Sequence, residues 1–178
     1  MSIVFESPRL SYRSLTEQDA TEIYANWLNN PAVNQFLETR HAVQTVASCR
    51  EFILACNQNP NEHLFGIFLK DTGQHIGNTK LGFINQYYQT GQLSLFIGEQ
   101  SMWGQGFASE VVQAITQYGF EQLQLHKIEA GCYESNLGSL RAFLKNNYVV
   151  EGFLRNHVVL AGKRQGTFWL GKTIYEHQ

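Results

Sequence analysis

A strand, a glycine-containing loop, a helix and a second strand follow one another in the second half of the chain. The first strand spans residues 91–98, the helix spans 107–122 and the second strand spans 126–133. A helical crossover of this kind joins two strands of one sheet in parallel, because the chain returns to the starting end before the second strand begins. The unit therefore predicts two parallel neighbouring strands with a helix packed across them.

The segments on either side of this unit predict strands that join the same sheet. Residues 2–15 form an expected opening strand, and a mostly helical stretch separates it from three β-rich runs. Helical spacing returns in "NLGSLRAFLKNN", and closing strands follow, joined by a glycine turn at residues 162–166. Helical spacing directs Ile23, in the first helical stretch, and Leu144, in this later segment, toward the core. The order predicts an α/β fold of the α+β mixed kind, with a central mixed sheet and helices on both faces.

The length of 178 residues fits one domain, which we take as residues 1–178. A net charge of −2 with mixed signs argues against a nucleic-acid partner. Three cysteines without zinc-like spacing indicate reduced thiols, no metal site and a cytoplasmic location. The first ten residues lack a secretion signal, and no apolar run reaches the roughly 18 residues of a membrane span, so no membrane partner is expected.

Gly104 and Gly106 flank one glutamine directly before the helix. Glycine tolerates positive φ and leaves room beside the backbone, so several amides can point at one ligand beside the positive end of the helix dipole. The loop is therefore either a phosphate-binding loop or a turn that needs glycine for structural reasons. Ser109 replaces the third glycine of the dinucleotide fingerprint, and no lysine follows either glycine as in a P-loop.

The stretch "WGQGFASE" resembles the acyl-CoA loop of the GNAT superfamily of N-acetyltransferases, in the variant of the ribosomal-protein alanine acetyltransferase branch. Gly106, Phe107 and Ala108 match the end of that motif, and Trp103 stands where the family has Gln or Arg. The segments "ESPRLSYRSLTEQDATEIYANWLNNPAV" and "HKIEAGCYESNLGSLRAFLKNNYVVEGFLRN" are similar to the same branch. The resemblance thus covers nearly the whole chain.

This resemblance implies a V-shaped gap between the two parallel strands, with acetyl-CoA bound there as the cosubstrate and no metal. Pantetheine would pair with the backbone of Leu95, Phe96 and Ile97, while Asn136 and Ser139, which match the family's N-x-x-S pair, would contact the cofactor from the other side. The diphosphate would lie on the amides of one continuous loop, formed by Trp103, Gly104, Gln105, Gly106, Phe107 and Ala108.

Amide formation requires a neutral amine, a base that removes its proton and an acid for the leaving thiolate. Many relatives use a tyrosine of the second helix as the acid, but Phe143 occupies that place and Ser139 matches the serine of the related branch. The alternative is that Ser139 has only a structural role in its helix. A water chain without a dedicated base is an alternative to the five candidate bases Glu38, Glu99, Glu129, Glu134 and His75. Glu38 is our choice, because its segment "FLETRH" corresponds to the acceptor wall of related enzymes.

The acceptor expected from the resemblance is a primary amine of a peptide or a small molecule. Glu38, Arg40 and Lys80 are the candidates for contacts with it. The family branch favours a protein N-terminus, followed by a nucleotide-linked amino sugar and then a polyamine or drug-like amine. Loss of the tyrosine acid also leaves open a non-catalytic acyl-CoA-binding module. We expect a monomer or a homodimer.

Overall fold

The computed structural model of the protein describes residues 3–177, except the side chains of the last two. Eight strands form one sheet in the order β1-β2-β3-β4-β5-β6-β8-β7. The strands are β1 (Phe5–Glu6), β2 (Leu10–Ser14), β3 (His63–Leu69), β4 (His75–Asn85), β5 (Thr90–Ile97), β6 (Lys127–Tyr133), β7 (Val149–Leu160) and β8 (Lys163–Thr173).

Five α-helices and three short 3₁₀ helices connect these strands in the described part of the chain, and a fourth 3₁₀ helix follows β8. The α-helices are α1 (Glu22–Asn29), α2 (Pro31–Asn34), α3 (Val46–Gln58), α4 (Phe107–Glu121) and α5 (Leu137–Leu144). The 3₁₀ helices are Glu17–Asp19, Glu38–His41, Gln100–Met102 and Ile174–His177. Between residues 3 and 177 no helix combines the length and the apolar character that crossing a membrane requires.

The predicted mixed sheet and its parallel pair are confirmed. Strands β5 and β6 run parallel, and the other neighbouring strands run antiparallel. Within residues 3–177, β5 and β6 are in register only where residues 90–92 face residues 127–129. Beyond this point the two strands diverge, and the edge of β5 faces a gap.

Alternate residues of β3 belong to two different hydrophobic cores, which places the cores on opposite faces of the sheet. Phe65 and Ile67 pack in the core that contains α4 and α5, whereas Leu64 and Phe68 pack in the core that contains α1 and α3. Helices therefore cover both faces, as the sequence predicts. Burial of each large apolar side chain contributes roughly 1.5–3 kcal/mol to this arrangement.

The predicted opening strand is wrong in extent, because the chain reverses direction within it. Residues 7–9 form the turn between β1 and β2, closed by a hydrogen bond of 2.8 Å from the amide of Ser7 to the carbonyl of Leu10. Proline at position 8 has no amide hydrogen to donate to a continuous strand. Ser2, which the prediction included, lies outside the described residues.

Three further predictions differ from the structure. Ile23 and Leu144 are 62% and 45% exposed, so neither faces the core. The sequence also predicts separate closing strands, but two of the predicted segments form the single long strand β7. Asn156 has a φ of 53° beside an irregularity in the register of β7 and β8, so a bulge continues the strand where the sequence pattern suggests a break.

Candidate functional site

A cleft of about 450 Å³ occupies the gap that opens beyond the paired part of β5 and β6. Three parts of the fold line it, namely the last residues of β5, the glycine loop with the start of α4, and the exposed side of α5. The segment over residues 32–37, which begins in α2, forms a further wall. The cleft is large enough for an elongated small molecule.

The glycine loop leaves the first turn of α4 open toward this cleft. Gly104 and Gly106 have φ values of 74° and 82°, a left-handed conformation that costs other L-residues roughly 1–2 kcal/mol. Gly106 is the N-cap of α4 and provides no side chain to bind the first amides. Because these donors lack an intrahelical acceptor, the helix start can bind an anion.

Trp103 fastens this loop to the end of β5. Its indole Nε1 donates a hydrogen bond of 2.8 Å to the carbonyl of Ile97, and the exposed part of its ring lines the cleft. The side-chain amide of Gln105 donates instead to the carbonyl of Ser101 at 2.8 Å. In the described part of the chain, Gln105 is the one member of the predicted cofactor-binding set that does not line the cleft.

Asn136 and Ser139 lie at the start of α5 and both line the cleft. The side-chain oxygen of Asn136 caps α5 by accepting a hydrogen bond of 3.2 Å from the amide of Ser139. The hydroxyl oxygen of Ser139 lies 3.3 Å from Cys132 Sγ. Burial raises the pKa of the Cys132 thiol, which therefore keeps its proton and can donate it to Ser139. In that arrangement the hydroxyl hydrogen of Ser139 is left for another acceptor.

Glu38, Arg40 and Tyr133 form a polar cluster beside the cleft wall. The hydroxyl of Tyr133 donates to the carboxylate of Glu38, and Nη1 of Arg40 lies 3.0 Å from that hydroxyl oxygen. The same Nη1 donates to the carbonyl of Leu37 at 2.7 Å, and the ring of Phe36 meets that of Tyr133 edge-on with centroids 6.2 Å apart. Leu37 and Phe36 line the cleft, so the cluster stands directly behind its wall.

The structure does not bring Lys80 to this cluster. Its ammonium nitrogen lies 2.6 Å from a carboxylate oxygen of Glu62 and 4.9 Å from the centre of the Phe83 ring. Strand β4, which carries Lys80, is separated from the gap by β5. Lys80 therefore has no place in the acceptor site that we propose below.

Partners within the fold occupy the remaining candidate bases. The observed pairs are Glu99 with Ser101, Glu129 with Lys127, Glu134 with the amide of Gly166, and His75 with Asn78. The side chain of Glu38 is 74% exposed, although it belongs to the cluster with Tyr133. Of the five, Glu38 is the carboxylate that combines exposure with a position next to the cleft wall.

Sequence reasoning missed several residues that line or support the cleft. Tyr133 ends a predicted strand and carries no recognisable motif, while the wall over residues 32–37 depends on how α2 folds back over β5. Arg141, on α5, and Lys145, which caps the end of that helix, are one helical turn apart and both line the cleft, and this spacing could have identified them. No group of three or more potential metal ligands occurs among the described residues.

Residues 9–149 match the family model described as an acetyltransferase (GNAT) domain. The chain is 30% identical over 160 residues to YoaA of Bacillus subtilis, described as an uncharacterized N-acetyltransferase, with 89% of this chain and 90% of that protein covered.

Two solved structures share the fold. RimL, a ribosomal L7/L12 α-N-protein acetyltransferase in complex with coenzyme A, has a TM-score of 0.86 and 19% identity, with 97% of this chain and 98% of RimL covered. Spermidine N-acetyltransferase from Vibrio cholerae, in complex with CoA and spermine, has a TM-score of 0.83 and 22% identity, with 93% and 95% covered.

The bond between Trp103 and Ile97 predicts an effect on the loop. Replacing Trp103 with Phe keeps an aromatic ring but removes the indole donor, at an expected cost of about 1 kcal/mol. We expect hydrogen exchange of the amides at residues 103–108 to become about fivefold faster, since local opening then costs less. Exchange measured by mass spectrometry tests this expectation.

Trp169→Phe is the matched control, because the structure gives the indole nitrogen of Trp169 no hydrogen bond within residues 3–177. Equal exchange of the loop amides in both variants would show that the Trp103 bond does not hold the loop.

Proposed function

The chain belongs to the GNAT family of acetyl-CoA-dependent N-acetyltransferases, and from this premise we propose that it transfers an acetyl group directly to the α-amine of a protein or peptide. The observation that carries the proposal is the single cleft between β5, the glycine loop and α5, into which the fold gathers all but Gln105 of the predicted cofactor-binding residues. These residues come from three separate parts of the sequence.

In the proposed complex, pantetheine lies along the edge of β5 at Leu95, Phe96 and Ile97. This edge is available because β6 has diverged from β5, so backbone groups there can pair with the amides of pantetheine. The diphosphate lies at Gly104 and Gly106, where left-handed backbone and the helix start present amide hydrogens. The thiol end of the cofactor then points toward the start of α5.

Ser139 is the proposed acid for the leaving thiolate. Ser139 lines the cleft, and the sulfur of Cys132 lies 3.3 Å from its hydroxyl oxygen. If Cys132 donates to the oxygen of Ser139, the serine hydrogen faces the cofactor sulfur as the C–S bond breaks. Phe143 is 2% exposed and has no proton to donate, so it cannot replace Ser139 in this role.

The proton balance favours an α-amine as the acceptor. An α-amine has a pKa near 8 and a lysine or polyamine amine a pKa near 10, so at neutral pH roughly one α-amine in ten is neutral, against about one in a thousand of the others. Glu38 is one exposed carboxylate beside the wall, with no buried base near it among the described residues. We propose that Glu38, directly or through water, accepts the amine proton.

The charges near the cleft disfavour the other acceptors. A polyamine needs several uncompensated carboxylates, but Glu129 is paired with Lys127 at 3.2 Å. A nucleotide-linked amino sugar needs a cation for its phosphates on the acceptor side. Arg141 and Lys145 line the cleft on its α5 wall, whereas Arg40, behind the acceptor wall, is 12% exposed and its guanidinium is bound to Leu37, Glu38, Tyr133 and Val159. A terminal peptide amine requires neither feature.

One further proposal accompanies this function. The three cysteines are free and buried, and a cytoplasmic location, where thiols stay reduced, remains our prediction. The alternative of a non-catalytic acyl-CoA-binding module is not supported, because the family match is to an acetyltransferase domain.

An acceptor panel tests the proposal directly. We expect release of free CoA with peptides that carry a free N-terminal amine, and at least tenfold lower kcat/KM with spermidine or with a nucleotide-linked amino sugar, since neither finds its charge partners. The measurement is thiol release at saturating acetyl-CoA, with N-terminally blocked peptides as the control. Preferred turnover of spermidine would contradict the proposed acceptor.

Position 106 tests the binding of the diphosphate. Gly106→Asp and Gly106→Asn have nearly the same shape and a similar left-handed backbone cost, so they differ mainly in the charge of the side chain. We expect the aspartate variant to bind CoA at least tenfold more weakly than the asparagine variant, a difference of about 1.4 kcal/mol. Calorimetric titration measures both constants, and equal affinities would show that the diphosphate lies elsewhere.

Ser139 and Glu38 should differ in their effect on the KM of the amine, so each variant is the control for the other. Ser139→Ala removes the proposed acid and should lower kcat by about 10²-fold while leaving the KM of the amine nearly unchanged. Glu38→Gln removes the proposed base, so it should lower kcat as well and also raise the KM of the amine severalfold, with little effect on the KM of acetyl-CoA. Steady-state kinetics with the best peptide decides, and identical profiles for the two variants would contradict these separate roles.

A further inference from the structure

Arg9, in the turn before β2, holds its guanidinium against the start of α4. Its Nε donates to Oε2 of Glu110 at 2.7 Å, and its Nη1 donates to the carbonyl of Gln105 at 3.0 Å. Its Cζ lies 4.0 Å from the centre of the Phe107 ring. Three contacts therefore fix this side chain beside the glycine loop, although it is 46% exposed.

The remaining nitrogen of the guanidinium faces the open space over the loop. Nη2 lies 3.8 Å from the position that a Cβ on Gly106 would occupy, and apart from Gly106 and its two chain neighbours no other described residue places a heavy atom within 4 Å of that position. Among residues 3–177 no hydrogen bond is formed by this nitrogen. A charged donor in a fixed position thus borders the bare backbone of Gly106.

The negative charge of Glu110 would repel an anion bound at the glycine loop, so a positively charged donor is needed beside it. Its carboxylate lies in the first turn of α4, and burial would raise its pKa, but hydrogen bonds from Arg9 and Ser7 hold the pKa below its ordinary value. The carboxylate is therefore ionised next to the place where a diphosphate would lie. Arg9 offsets that negative charge and leaves one guanidinium edge for the ligand.

We propose that Nη2 of Arg9 binds the diphosphate of CoA at Gly106. The inference rests on the proposed position of the cofactor, and it adds a side-chain cation from the opposite end of the sequence to a loop otherwise built from backbone amides. Trp103 stands where the related motif has Gln or Arg, and its indole is committed to Ile97. The loop has no cationic side chain of its own, and Arg9 supplies one.

The test compares Arg9→Gln with Arg13→Gln in the full chain. Arg13 is the matched control, since it lies in β2, pairs with a carboxylate, Asp19, at 2.6 Å and stacks on a ring, Phe68, at 4.2 Å. That ring belongs to the core that contains α1 and α3, on the face of the sheet opposite α4. Both variants lose one positive charge. Three probes separate the parts of the cofactor: CoA, 3′-dephospho-CoA and S-acetylpantetheine, which carries no phosphate.

We expect Arg9→Gln to bind CoA and 3′-dephospho-CoA about tenfold more weakly than wild type, as for the loss of one hydrogen bond to a charged group. Acetyl transfer from S-acetylpantetheine should keep its kcat/KM, and Arg13→Gln should bind CoA as wild type does. If Arg9→Gln fails to fold, Arg9→Lys replaces it. Lysine keeps the positive charge but cannot bond to Glu110, Gln105 and a phosphate at the same time. We therefore expect Arg9→Lys to weaken the binding of CoA and 3′-dephospho-CoA as well, but by less than tenfold.

Three results would overturn the inference. Equal CoA affinity in the Arg9 and Arg13 variants would show that Arg9 makes no contact. An equal loss with S-acetylpantetheine would show that Arg9 acts only on the shape of the loop, and a loss seen with CoA but not with 3′-dephospho-CoA would assign the contact to the 3′-phosphate. If Gly106→Asp and Gly106→Asn also bind CoA equally, the proposed cofactor position fails as well, so the two failures are distinguishable.

Discussion

The divergence of β5 from β6 is the constraint on which the rest of the site depends. The two strands are in register over three residue pairs and then separate, although they belong to one continuous sheet. Where the hydrogen bonds between two neighbouring strands end, the backbone donors and acceptors of each strand must find other partners. The resulting gap is therefore a place where an extended, amide-containing molecule can take the part of a missing strand, and the helix start at Gly106 lies at its open end.

Local patterns in the sequence were sufficient for the central unit. The glycines of the loop, the apolar spacing of α4 and the strand before and after it predicted the parallel pair, because helix and strand periods are properties of consecutive residues. The same reasoning failed for Ile23, which helical spacing alone directs inward, but which the shape of the neighbouring elements leaves in solvent. Side-chain burial depends on what covers a helix, and periodicity does not contain that information.

The contacts that sequence reasoning missed join residues that are far apart in the sequence. Arg9 and Glu110 are 101 positions apart, and Tyr133 and Glu38 are 95 positions apart. Each of these pairs joins segments whose proximity exists only after the sheet has formed, so no local motif marks it. Lys80 shows the reverse limit: residue type alone suggests a cation for the site, but the fold pairs Lys80 with Glu62 on a strand that β5 separates from the gap.

The cluster around Arg40 has a consequence for how the gap can change shape. Its guanidinium reaches from the segment after α2 to Tyr133 of β6 and to the carbonyl of Val159 in β7, while α1, just before that segment, packs against the β5 side. The two halves of the sheet are thus joined by strand pairing at one end of the gap and by a guanidinium at the other. We expect these two links to resist separation of the walls, which would favour entry of a ligand along the length of the cleft.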